Sequence, residues 1–78
     1  MLALVRDCFP WLPEDRLTAT ARLREDLDLD SLHLVELQVC VEDALGVRFS
    51  PLDADFLDAF EDVASLARYA DRLVAGAS

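Results

Sequence analysis

Lysine does not occur in this chain of 78 residues, and seven arginines stand against sixteen aspartates and glutamates, a formal charge of -9. That balance opposes long-range attraction to nucleic acid or to an anionic membrane, and makes basic protein surfaces the natural partners. Glycine and proline are scarce at two and three residues, while 54% of the chain is hydrophobic, which excludes a disordered or linker-like composition. Long apolar runs are missing as well. Met1 to Val5 is interrupted by Arg6 and Asp7 well short of a signal-peptide core, and no later stretch approaches membrane-spanning length, so a cytoplasmic protein is expected. Cys8 and Cys40 lie far apart without CxxC spacing and read as reduced thiols serving as small apolar residues. A single histidine with two scattered cysteines makes no zinc site, and neither a Gly-x-Ser-x-Gly elbow nor a phosphate-binding glycine loop is present. No catalytic or metal-ligating set assembles from these residues, so a non-enzyme is expected.

What the chain does have is helical patterning in one domain, residues 1–78, near the lower size limit for a self-sufficient core. Val63, Leu66, Ala67, Ala70, Leu73 and Val74 recur at helical spacing, with Glu61 and Asp62 at the positive dipole end and Gly76 as terminator. The spacing predicts a helix over 61–75. Leu2, Val5 and Phe9 share a face ahead of Pro10, giving a short helix over 2–9. From Pro10 to Asp30 no period persists. A loop of that length needs anchors, and Leu17, Leu23, Leu27 and Leu29 are the candidates. The second long helix runs 31–45, with Asp30 or Ser31 as cap and Gly46 as end. After the Phe49-Ser50-Pro51 turn, 53–58 supports a turn or two of helix. The fold class is all-α, a small four-helix bundle with a long first loop and a short third helix.

The 31–45 helix carries two apolar faces. Leu34, Leu37, Val41, Ala44 and Leu45 fall in one sector, a core-facing stripe. Opposite them lie Leu32, Val35 and Val39, flanked by Glu36, Glu42 and Asp43, and those carboxylates keep the second strip near water. An apolar spine with acidic edges suits a partner that brings aliphatic pockets ringed by cations. Asp26, Asp28 and Asp30 imitate the start of an EF-hand loop, but Ser31 stands where the loop needs glycine and Leu37 where it needs the bidentate glutamate. Ser31 and His33, two positions apart on a helix, point nearly opposite ways and form no nucleophile-base dyad; His33 reads as a boundary residue.

The stretch Leu23 to Leu37, Leu-Arg-Glu-Asp-Leu-Asp-Leu-Asp-Ser-Leu-His-Leu-Val-Glu-Leu, resembles the prosthetic-group signature of acyl carrier proteins. Its centre is Asp30-Ser31-Leu32, followed one turn later by Val35-Glu36-Leu37, and the order of elements matches over nearly the whole chain. The resemblance implies a 4'-phosphopantetheine arm, taken from coenzyme A by a phosphopantetheinyl transferase and esterified to Ser31, with Asp30 and Leu32 beside it. It also implies that Asp30, Glu36, Glu42 and Asp43 are recognised by basic docking patches on an acyl-loading enzyme and on enzymes of ketosynthase or acyltransferase type. A monomeric carrier of polyketide or fatty-acid-type biosynthesis is the expectation, with no nucleic-acid or membrane partner. In carriers of fatty-acid type the load is often sheltered between helices, and Leu34, Leu37, Val41, Leu45 and Phe49 are the residues to line such a space if they are not closed core. Two other readings stay open: an aminoacyl or peptidyl carrier of nonribosomal synthesis, and a helical interaction module that uses the Leu32, Val35 and Val39 strip with no covalent group.

Overall fold

Pro10 stops the first helix after two turns. In the computed structural model, which describes residues 1–76, α1 spans Leu2–Cys8, and the Phe9 N–H still bonds to the Val5 carbonyl at 2.9 Å. Val5 and Phe9 are buried on its inner face. The next twenty residues form no regular helix, yet they are closely held. Leu17, Leu23, Leu27 and Leu29 are all buried, as the loop's length requires, and Leu12 and Ala21 join them. Asp26 accepts the Arg22 N–H at 2.8 Å, and the Leu29 N–H returns to the Leu23 carbonyl at 3.0 Å, closing the loop on itself just before Asp30. Midway, Leu23 N–H bonds to the Glu61 carbonyl at 3.1 Å and Val63 N–H to the Ala21 carbonyl at 3.0 Å, an isolated antiparallel bridge between Arg22 and Asp62. The loop is thereby fastened to the start of the last helix.

Helix α2 spans Ser31–Leu45, the predicted range. It ends at Gly46, whose φ of +65° places it in the left-handed region where a side chain is penalised, and whose N–H caps the Glu42 carbonyl. Leu37 and Val41 are completely buried and Leu34 is half-buried. Ala44 and Leu45, assigned to the same stripe, are instead exposed. Angular position alone puts them on the inner face, but the last turn projects past the surfaces that the other elements supply.

The segment predicted as a short third helix over 53–58 does not form one. Turns occupy residues 51–57 and a single 3-10 turn follows at Asp58–Phe60. Three aspartates explain the difference, because aspartate competes for backbone donors and is a weak helix former. Here the Asp53 carboxylate takes the Tyr69 hydroxyl at 2.8 Å and that of Asp55 takes the Arg72 guanidinium, so both side chains serve tertiary contacts. The backbone follows with i→i−3 bonds, from Phe56 N–H to Asp53 and from Glu61 N–H to Asp58.

Helix α3 covers Val63–Gly76, starting two residues later than predicted. Asp62 stands outside as its cap, accepting the Ser65 N–H at 2.7 Å. The predicted end near residue 75 falls within the last turn; Ala77 and Ser78 lie outside the described residues. Val63, Leu66 and Ala70 are buried as the stripe requires, together with Tyr69, whose hydroxyl also accepts the Ser50 N–H at 3.3 Å. Among the described residues the fold is all-α, with three α-helices and one 3-10 turn in place of four helices. No helix there is long and apolar enough to cross a membrane.

The Ser65 N–H holds the Asp62 carboxyl below the ordinary aspartate range. Its stabilising contribution is therefore complete above the unfolded value near pH 4 and fades as pH falls through the lowered native value. Asp62→Ala should cost about 1 kcal/mol at neutral pH, the usual worth of a helix cap. Melting curves of both proteins at neutral pH and near pH 3 check this, and a gap that does not narrow in acid would contradict the cap assignment.

Candidate functional site

The loop delivers Asp30 to the head of α2 in an extended conformation, and Asp30 rather than Ser31 caps the helix. Its Oδ1 accepts the His33 N–H at 2.9 Å, while the Asp30 N–H donates to His33 Nδ1 at 3.2 Å, a reciprocal capping box. Nδ1 acts as the acceptor, which assigns the neutral ring's proton to Nε2. The imidazole is half-buried and meets Phe9 edge-on at 5.6 Å and Trp11 at 5.3 Å. His33 is thus a structural clasp between the cap and the first helix. The pattern Asp-x-x-acceptor was readable in the sequence, with histidine in the place usually taken by glutamate or glutamine. The His33 N–H, with the Leu32 N–H and the Arg24 charge, also holds the Asp30 carboxyl below its ordinary range, so it is ionised at neutral pH.

With the cap on Asp30, the Ser31 hydroxyl is left over. Ser31 is exposed on the first residue of α2, and its Oγ takes one hydrogen bond, from Arg24 Nη2 at 3.3 Å. The two acids before it are separately engaged, Asp26 with the Arg22 N–H and Asp28 at 3.9 Å from Arg16. Asp28 adopts a φ of +54°, a left-handed conformation that aspartate tolerates better than most residues, and this bend turns the chain toward Ser31. Beside Ser31 an open groove of about 410 Å³ runs along α2 and across to the 3-10 turn, lined by Leu34, Val35, Gln38, Phe56, Leu57 and Phe60, with Arg24 and Glu61 at its mouth.

The strip predicted on the outer face of α2 is exposed: Leu32 at 73%, Val35 at 58% and Val39 at 49%. Glu36 and Asp43 are exposed beside it. Glu42 is not a free rim charge, because it is half-buried and accepts the Phe49 N–H at 2.8 Å, tying the chain after Gly46 back onto α2. Of the residues that might line an internal space, Leu37, Val41 and Phe49 are closed into the core and Leu45 is outside; only Leu34 reaches the groove. The apolar space at Ser31 is therefore a surface groove toward Phe56 and Phe60.

The two thiols of the chain meet away from this face. Cys8 Sγ and Cys40 Sγ are 2.7 Å apart between α1 and α2, both half-buried, and burial together with the partner thiol pushes Cys8 up to about 12.

This arrangement can accept a covalent group at an accessible hydroxyl without disturbing the fold, since no buried contact depends on the Ser31 side chain. A phosphodiester fits there: a guanidinium already reaches the oxygen that would carry it, and an apolar trough begins beside it. Comparison with known proteins agrees. The profile of the family described as "Phosphopantetheine attachment site" matches residues 2–70. An acyl carrier protein from Saccharopolyspora erythraea is 51% identical over 37 residues, a match covering 47% of this chain and 39% of that protein. The matched stretch thus spans well under half of that relative. With the profile extending over most of the chain, from α1 into α3, the protein belongs to the phosphopantetheine attachment-site family.

Proposed function

We propose that Ser31 receives 4'-phosphopantetheine from coenzyme A through a separate transferase, and that this cytoplasmic carrier presents acyl groups to enzymes of polyketide or fatty-acid-type biosynthesis. The observation that supports this most directly is the division of labour at the helix head, where Asp30 caps and Ser31 Oγ remains accessible. The group's terminal thiol supplies the thioester linkage for the load. The chain's own residues hold the attachment point still, keep it open to a second protein, and surround it with recognisable charge and apolar surface. Leu34, Val35, Phe56, Leu57 and Phe60 give the arm an apolar surface to lie against. No acid, base or nucleophile set is required of the carrier, because the tether itself raises the local concentration of its cargo at each active site. Incubation with coenzyme A and a broad-specificity transferase, read by intact mass, tests the assignment.

Partner enzymes are proposed to dock on Leu32, Val35 and Val39, with Asp30, Glu36 and Asp43 as the steering charges. Glu36→Lys should weaken binding to a ketosynthase or acyltransferase partner about tenfold at low ionic strength and reduce the salt sensitivity of what remains, with the melting temperature unchanged. Titration at low and high salt measures both, and an unaltered salt slope would exclude Glu36 from the docking rim. Glu42→Lys is a different experiment, because it removes the acceptor of the Phe49 N–H and should lower stability as well.

A further inference from the structure

The cation that reaches the attachment hydroxyl is Arg24, whose charge also acts on the Asp30 carboxylate. Arg16, Arg22 and Arg72 form ion pairs with Asp28, Glu25 and Asp55, whereas Arg24, like Arg6, Arg48 and Arg68, enters no ion pair among the described residues, and it directs Nη2 to Ser31 Oγ. An anion attached at Ser31 would meet a guanidinium already directed at the attachment oxygen and free of an ion pair. Building on the attachment proposed above, we propose that Arg24 is a positioning residue that holds the phosphodiester on Ser31 and turns the arm toward the groove between α2 and the 3-10 turn.

The argument rests on placement and charge. Esterification makes Oγ a bridging oxygen, so the two non-bridging oxygens that share the phosphodiester's negative charge lie two bonds beyond the atom that Arg24 reaches at 3.3 Å. A guanidinium offers a planar fork suited to that geometry. The carboxylates flanking the site are Asp30 on one side and Glu61 across the groove, while Asp28 before it is paired with Arg16. Without Arg24 these repel the phosphate toward solvent. With it, the phosphate is drawn to the side where Leu34, Val35, Phe56 and Phe60 provide apolar contact, because Arg24 itself lines that groove.

Wild-type protein, Arg24→Gln and Arg24→Lys are each loaded with coenzyme A and a broad-specificity transferase and checked by intact mass. Phosphorus NMR and proton NOEs are then recorded on the products. The wild-type arm should give NOEs to Leu34, Val35 or Phe56 and a salt-sensitive phosphorus resonance. Arg24→Gln should lose the NOEs and the salt sensitivity, and Arg24→Lys should retain the salt sensitivity with weaker NOEs. Full loading with identical phosphorus shifts and NOEs in wild type and Arg24→Gln overturns the role of Arg24 while leaving the attachment intact. A wild-type chain that gains no mass overturns both.

An independent observation concerns the thiols, and here the geometry points to a modification site: Cys8 and Cys40 are placed to form a disulfide that fastens α1 to α2. At 2.7 Å the two Sγ atoms are already inside ordinary non-bonded contact, so little movement is needed to join them. The oxidant is a small-molecule disulfide. One protein thiolate attacks it and expels a small thiol, then the second protein thiolate displaces the other; two protons leave the cysteines and two electrons reduce the reagent. Oxidised glutathione at mildly alkaline pH should leave the chain about 2 Da lighter, as loss of two hydrogens requires, and raise its melting temperature by several degrees. Cys8→Ser should instead stop at a glutathione adduct on Cys40. A wild-type product that ends as a stable glutathione adduct, a covalent dimer or unaltered thiols overturns the pairing.

Discussion

Ser31→Ala should remain at its unmodified mass under conditions in which the parent chain is converted completely to a species heavier by one phosphopantetheine. The contrast is all or none, because the substitution deletes the only oxygen that the reaction esterifies. It should leave the fold untouched: the α2 cap belongs to Asp30 and His33, Ser31 is exposed, and alanine is a better helix former at the first helical position. Circular dichroism and melting temperature should therefore match the parent. Ser50→Ala, which removes a hydroxyl remote in sequence from the α2 head, should load normally. Labelling of Ser31→Ala would place the attachment elsewhere and leave the site described above without a role. A parent chain that refuses the group would favour the helical interaction module, and charging only by amino-acid-activating enzymes would favour the peptidyl carrier.

Leu37→Ala should cost roughly 2 to 5 kcal/mol, the range for truncating a fully enclosed leucine. Leu37 has no solvent exposure and belongs to the core cluster to which α1, the long loop, α2 and α3 contribute through Val5, Leu23, Val41 and Leu66. For a domain this small, whose total stability is expected near the low end of the 5 to 15 kcal/mol common to globular proteins, that loss leaves a substantial unfolded fraction. Urea titration of Leu37→Ala beside Leu32→Ala is the measurement. Leu32 is 73% exposed, and its truncation should stay within about 0.5 kcal/mol. Equal costs at the two positions would contradict the assignment of Leu37 to the core and Leu32 to the surface.

The parts of this fold that could be read directly are those governed by local chemistry. Gly46 and Asp30 bracket α2 because one tolerates left-handed backbone and the other offers a short acceptor, and both preferences belong to the residue itself. The four loop leucines announced their burial as large apolar side chains spaced among charged neighbours, and Leu12 and Ala21 join them. What escaped depends on partners distant in sequence. Asp53 and Asp55 prefer Tyr69 and Arg72 to a local helix, Glu42 looks like a surface charge until Phe49 folds back upon it, and Ala44 and Leu45 lie on the right meridian of a helix whose end is uncovered. At the site, the exposure of Ser31 at the head of α2 was legible from its neighbours. Arg24 was not, because six residues of irregular loop intervene and the bend at Asp28 lies between the guanidinium and the hydroxyl. The meeting of Cys8 with Cys40 was equally hidden, since it depends on how α1 lies across α2.

The bridge joining Leu23 and Ala21 to Glu61 and Val63 links the mount of Ser31 to residues thirty or more positions downstream. Exchange of the Leu23 and Val63 amides with deuterium should consequently rise and fall together, and with them the steadiness of the pedestal from which a tethered cargo swings. Freedom in such a carrier resides in the appended arm, and the polypeptide contributes a fixed pivot.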